Sequence, residues 1–135
     1  MYHDDVDKIA NTSANKVKIV EESFTKYFGR AVMAGIFIML ATILSYTIGG
    51  ILSPNYPEAA RISSAALFCF AIIAIVFFSA ELFTGNNFVM YIGILKKKVN
   101  IKSTLKILSY SFLGNFVGII IFAYMFVKSG VNFEA

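Results

Sequence analysis

Ala80-Glu81-Leu82-Phe83-Thr84-Gly85-Asn86-Asn87 interrupts an apolar stretch that runs over residues 62–95, and the reading of that interruption decides the fold. Glu81 is the only charge in the stretch. As one straight helix it would measure about 51 Å, against a bilayer hydrocarbon core of about 30 Å. It must tilt strongly, leave the membrane or break. Thr84, Gly85, Asn86 and Asn87 are four poor helix formers in succession. The pattern predicts helical parts at 62–80 and 88–97, joined by a loop at 81–87.

The rest of the chain sets that break in a membrane. Hydrophobic residues make up 58% of the chain and charged residues 15%, with mean hydropathy +0.72. Soluble domains average about 45–50% apolar and about 25% charged residues. No charge occurs between Arg30 and Glu58, between Arg61 and Glu81, or between Lys106 and Lys128. Each run is long enough for a span. Spans are expected at 30–52, at the interrupted 62–97, and at 104–127. The charge-dense start and the long first run predict a first span that is kept rather than a cleaved signal. Ser53-Pro54-Asn55-Tyr56-Pro57 reads as a turn and holds both prolines.

Small residues mark the helix contacts. Ala31, Ala34, Gly35, Ala41, Ser45 and Gly49 recur along the first span. Gly114 and Gly118 form a GxxxG in the third, which lets another backbone approach closely. Asn115 between them is expected to hydrogen-bond across helices. Cys69, the only cysteine, reads as a small packing residue.

Lys8, Lys16, Lys18, Lys26 and Arg30 precede the first span, and Lys96, Lys97, Lys98, Lys102 and Lys106 separate the second from the third. Only Arg61 and Lys128 lie on the other side. The positive-inside rule then predicts a multi-pass protein of the cell (plasma or inner) membrane with a cytoplasmic N-terminus. The lysine run is topological, so no nucleic-acid partner is expected. Residues 4–27 show a helical stripe of Val6, Ile9, Ser13, Val17, Val20, Phe24 and Tyr27, with Asp4, Asp5 and Asp7 near its start. It fits an interfacial anchor or a movable plug at a pore mouth.

The break carries the chemistry. Irregular backbone at membrane depth is tolerated where protein buries it or where it lines a watery cavity. Interrupted spans point to transport sites. The first amides of a helix starting after the break lack partners and favour an anion. Glu81 would repel an anion, so it reads as structural, its oxygens accepting loop N–H groups; a proton relay is the alternative. Thr84 can donate its hydroxyl hydrogen to an anion. Leu82 and Phe83 can form an apolar constriction that gates by dewetting.

Residues Ala80 to Asn86 resemble the loop signature of the formate/nitrite transporter family. Tyr27-Phe28 through Gly35 and Gly114-Asn115-Phe116-Val117-Gly118 resemble that family's first and third helices, and the Gly-Asn-Asn ending is most similar to its hydrosulfide-channel branch. The resemblance implies an all-α membrane fold, half of an aquaporin-like six-helix inverted repeat, in a homopentamer with one pore per protomer. It implies passage of small monovalent anions such as hydrosulfide, formate or nitrite, with proton coupling in some members. By position, Leu82 belongs to the cytoplasmic-side constriction and Phe68 and Ile72 to the outer one. Glu81, Phe83, Thr84, Gly85 and Asn86 form the pore loop, and Lys16 sits at the entrance in a gating helix.

Three spans are half of that family's six, and they cannot enclose its pore alone. The family's central histidine belongs to the other half. A second chain or fragment with three further spans is therefore the expected partner. The alternative is a non-conducting subunit that packs in a larger complex through Gly114 and Gly118. An enzyme is not expected: His3 is the only histidine, Glu81 has no second carboxylate inside the membrane, and no metal-ligand set, cofactor site or nucleophile–base pair can be assembled.

Overall fold

The computed structural model describes residues 2–131 as five helices: α1 (Tyr2–Glu22), α2 (Phe24–Leu52), α3 (Pro57–Phe77), α4 (Phe83–Leu95) and α5 (Ile101–Lys128). Three of them, α2, α3 and α5, are long and apolar enough to cross a membrane. Large apolar residues such as Phe77, Ile73, Tyr91 and Phe116 stay exposed on the outside of the chain. That surface suits lipid or neighbouring protein, not water.

Caps set the boundaries. The helix expected at 4–27 stops at Glu22, because Ser23 turns extended, with φ −158° and ψ 99°. Its hydroxyl accepts the Lys26 amide at 3.3 Å and starts a new helix, so Phe24 and Tyr27 belong to the first span. α3 begins at Pro57, where the missing N–H costs nothing, rather than at residue 62. α5 begins with Asn100, whose Oδ1 accepts the Ser103 amide at 2.7 Å.

α2 lies between α3 and α5 and packs on both. On the α5 side a Cβ at Gly35 would strike the Asn115 carbonyl, one at Gly114 the Ala31 side chain, and one at Gly118 the Val32 carbonyl. The GxxxG is therefore spent inside the chain, on α2, and is not open to a partner. On the α3 side, Ser45 Oγ donates to the Ser64 carbonyl at 2.7 Å and Ser64 Oγ returns a bond to the Ser45 carbonyl at 3.0 Å. The small residues foreseen in the first span sit on these faces: Ala31, Ala34, Gly35, Ala41 and Ser45 are buried. Cys69 is exposed on α3 and does not serve as packing within the chain.

α1 docks on α4 and also touches α2 and α5. Its buried face carries Ala10, Ser13 and Val20. A side chain on Gly93 would collide with Ser13. Val20, Tyr27, Met90 and Ile107 form the buried apolar cluster where α1, α2, α4 and α5 meet.

Candidate functional site: the broken second span

The break lies upstream of the expected loop at 81–87. Helix α3 ends at Phe77, and α4 already begins at Phe83, so only residues 78–82 are non-helical. The α3 terminus is a Schellman turn. Ser79 takes the left-handed position with φ 51°, its amide donates to the Val76 carbonyl at 3.2 Å, and the Ala80 amide donates to the Ile75 carbonyl at 2.9 Å. Thr84, Gly85, Asn86 and Asn87 stand in the first turns of α4. Poor helix formers are tolerated there because the first amides have no intrahelical acceptor in any case. Asn86 and Asn87 also find side-chain work, donating to the Tyr27 hydroxyl at 2.9 Å and to the Phe83 carbonyl at 3.1 Å.

Asn115 fastens the break from α5. Its Nδ2 donates to the Ala31 carbonyl at 2.8 Å and to the Glu81 carbonyl at 2.9 Å. Its Oδ1 accepts the Phe83 amide at 2.9 Å. One buried side chain thus ties α2, the non-helical linker and the head of α4. The sequence marked Asn115 as an interhelical hydrogen-bonding residue, as observed; that it caps α4 needed the fold.

Glu81 does not hold the loop with its oxygens, contrary to the sequence-based expectation. The loop amides have other acceptors: Ala80 has the Ile75 carbonyl, Glu81 the Arg30 carbonyl at 3.1 Å, and Phe83 the Asn115 side chain. The carboxylate is left for Lys16, whose Nζ lies 2.5 Å from Oε2. The side chains are only 14% and 5% exposed, so this is a buried ion pair between α1 and the break. Tyr27 lies against the same carboxylate and also meets Asn86 and Ser111. The sequence places Tyr27 in a helical stripe and at the start of the segment resembling the family's first helix; its place in a buried polar cluster has no local signal.

A second pair joins α1 to the far end of α4. Lys96 Nζ stands 2.9 Å from Asp7 Oδ1. The hydrogen bond to that ammonium and its charge hold the Asp7 carboxyl below the usual aspartate range.

The proposed pore residues divide into two levels. Leu82 is the N-cap of α4, half-buried and extended at φ −92° and ψ 128°. It offers no capping side chain, and the first intrahelical bond runs from the Asn86 amide to the Leu82 carbonyl at 2.9 Å. The Thr84 and Gly85 amides precede that bond, and both residues are exposed. Phe83 is half-buried and packs edge-on to Phe112. Phe68 and Ile72 are exposed, four residues apart on one face of α3. They lie roughly 14 and 8 Å of helix rise before Phe77, away from Leu82.

Comparison with known proteins accounts for this geometry. Residues 3–135 match the family described as Formate/nitrite transporter. The transporter YwcJ of Bacillus subtilis, itself uncharacterized, is 29% identical over 124 residues, covering 92% of this chain and 48% of its own. The nitrite transporter NirC of Salmonella typhimurium is 25% identical over 130 residues, covering 96% and 47%. A solved structure described as an FNT family ion channel superposes with a TM-score of 0.89 at 25% identity, covering 96% of this chain and 51% of that one. The chain spans about half the length of the curated relatives it matches. Its helices reproduce half of the channel fold, in a family of transporters rather than enzymes. On its sequence, and on a broken span that the match includes, the chain belongs to the formate/nitrite transporter family.

Proposed function

We propose that this chain forms one half of the conducting unit of a channel for small monovalent anions of the hydrosulfide, formate and nitrite class. The observation that carries the proposal is the head of α4, where exposed Thr84 and Gly85 present amides outside the helical ladder, just after the apolar Leu82 and Phe83. Lysines near the entrance draw the anion in. Leu82 forms an apolar neck, with Phe68 and Ile72 forming a second one further along α3. The Thr84 hydroxyl and the helix-end amides stabilise negative charge between them.

Stripping water from an ion in an apolar neck is costly. Transient protonation of a weak-acid anion lowers that cost, which gives proton coupling a physical role. Lys16 serves gating: it ties α1 to the break through Glu81, so release of α1 frees the loop. The pore is completed by three further spans, a reading supported by relatives of about twice this length, and the assembly is a homopentamer in the cell membrane with α1 on the cytoplasmic side.

Anion flux into proteoliposomes holding the assembled channel tests this reading. Leu82→Ala should raise flux and weaken size discrimination. Thr84→Ala should slow flux about tenfold, the cost of one lost hydrogen bond to a charge. Unchanged flux and selectivity in both variants would remove the break from the conduction path.

A further inference from the structure

A cavity of about 460 Å³ opens where α4 ends and α5 begins, against the flank of α1. The volume is in the range of small-ligand sites, about 300–1,000 Å³. Lys97 and Lys98 line it together with Asn100, Ser103 and the apolar Ala14 and Val17. No carboxylate lines it among the described residues.

The two lysines are set there by the backbone. α4 closes in a second Schellman turn, with Lys97 left-handed at φ 55°. The Lys97 amide donates to the Ile94 carbonyl at 2.9 Å and the Lys98 amide to the Gly93 carbonyl at 2.9 Å. The turn satisfies its own amides, so the ammonium groups are the free polar atoms it offers. Lys96 and Lys16 have their ion pairs with Asp7 and Glu81, whereas Lys97 and Lys98 make no such close pair among the described residues, although the Lys98 charge also acts on the Asp7 carboxylate. The adjoining cavity shares Val17 and Ser103 and adds Lys102 and Lys106 beside Glu21. The first cavity thus has two lysines and, among the described residues, no carboxylate, whereas one of the two lysine charges in the second is offset by Glu21.

We infer that this cavity binds a phosphate-bearing anion, held by the Lys97 and Lys98 ammonium groups with the Ser103 hydroxyl and Asn100 amide as further donors. The phosphate of an acidic lipid headgroup and a free phosphate offer the same chemistry. A basic cluster at the end of a span attracts the first in particular. The site lies apart from the break, and its occupancy is read without measuring conduction.

Titration calorimetry of the full chain in a neutral detergent tests it, with three probes: inorganic phosphate, dihexanoyl phosphatidic acid and dihexanoyl phosphatidylcholine. Saturable binding of phosphatidic acid above phosphatidylcholine supports a headgroup site. Equal binding of inorganic phosphate and phosphatidic acid supports a site for free phosphate. The double variant Lys97→Asn/Lys98→Gln should weaken either about 25-fold, roughly a factor of five per lysine. Asn is chosen because it tolerates the left-handed backbone at position 97. Lys97→Arg/Lys98→Arg should keep binding, which guards against a loss caused by misfolding. The inference is overturned if neither phosphate probe binds, if phosphatidylcholine binds equally, or if Lys102→Gln/Lys106→Gln weakens binding as much as the double variant.

Discussion

Asn115 Oδ1 accepts the Phe83 amide at 2.9 Å and so caps α4 from the middle of a different span. The N-cap of α4, Leu82, has no side-chain oxygen to offer. A helix that starts inside a membrane needs its first donors satisfied, and here the acceptor arrives from α5.

Replacing Asn115 by Leu removes that acceptor and the two bonds to the Ala31 and Glu81 carbonyls while keeping the same branching and heavy-atom count in a somewhat bulkier side chain. The part-buried Phe83 amide then loses its partner. The expected loss of stability is about 2–4 kcal/mol. Thermal unfolding in detergent reads it, and an unchanged midpoint would show that the break holds its shape without Asn115.

The Lys16–Glu81 pair is almost fully buried. Lys16→Met strands a carboxylate in the interior, and breaking a buried pair from one side costs about 3–5 kcal/mol. Lys16→Met/Glu81→Gln removes both charges and should recover more than half of that loss. If the double variant is as unstable as the sum of the two single ones, the pair is not coupled as its 2.5 Å separation requires.

Glycines on α2 and α5 should differ sharply. Gly118→Val drives a side chain into the Val32 carbonyl and should cost about 1–3 kcal/mol or more. Gly50 is a helical glycine of α2 with open space around its Cβ position. Gly50→Ala should stabilise by about 0.5–1 kcal/mol. Unfolding midpoints of the pair test whether α2 and α5 touch through Gly118 itself.

The three spans were legible because uncharged apolar runs of that length have no other outlet, and the small residues of the first span marked its contact faces. The place of the break was misread by a few residues. Sequence reasoning took Thr84–Asn87 as the stop signal, yet helix starts tolerate such residues. The real stop is at Ser79, which adopts φ 51° without being glycine. Ser23 likewise separates α1 from α2 with a single extended residue in a continuous apolar stripe. The partners of Glu81 and Asn115 lie across the fold, 65 positions away for Lys16 and 84 for Ala31, and no local pattern encodes such pairings.

The proposed pore path stands or falls on whether Thr84 meets the anion. In a background with Cys69→Ser, which removes this chain's one thiol, and with any thiol of the completing half replaced likewise, Thr84→Cys in the assembled channel can be treated with a small, charged methanethiosulfonate. The account predicts that modification blocks anion flux and that a permeant anion slows the modification. Complete modification with flux unchanged would contradict it.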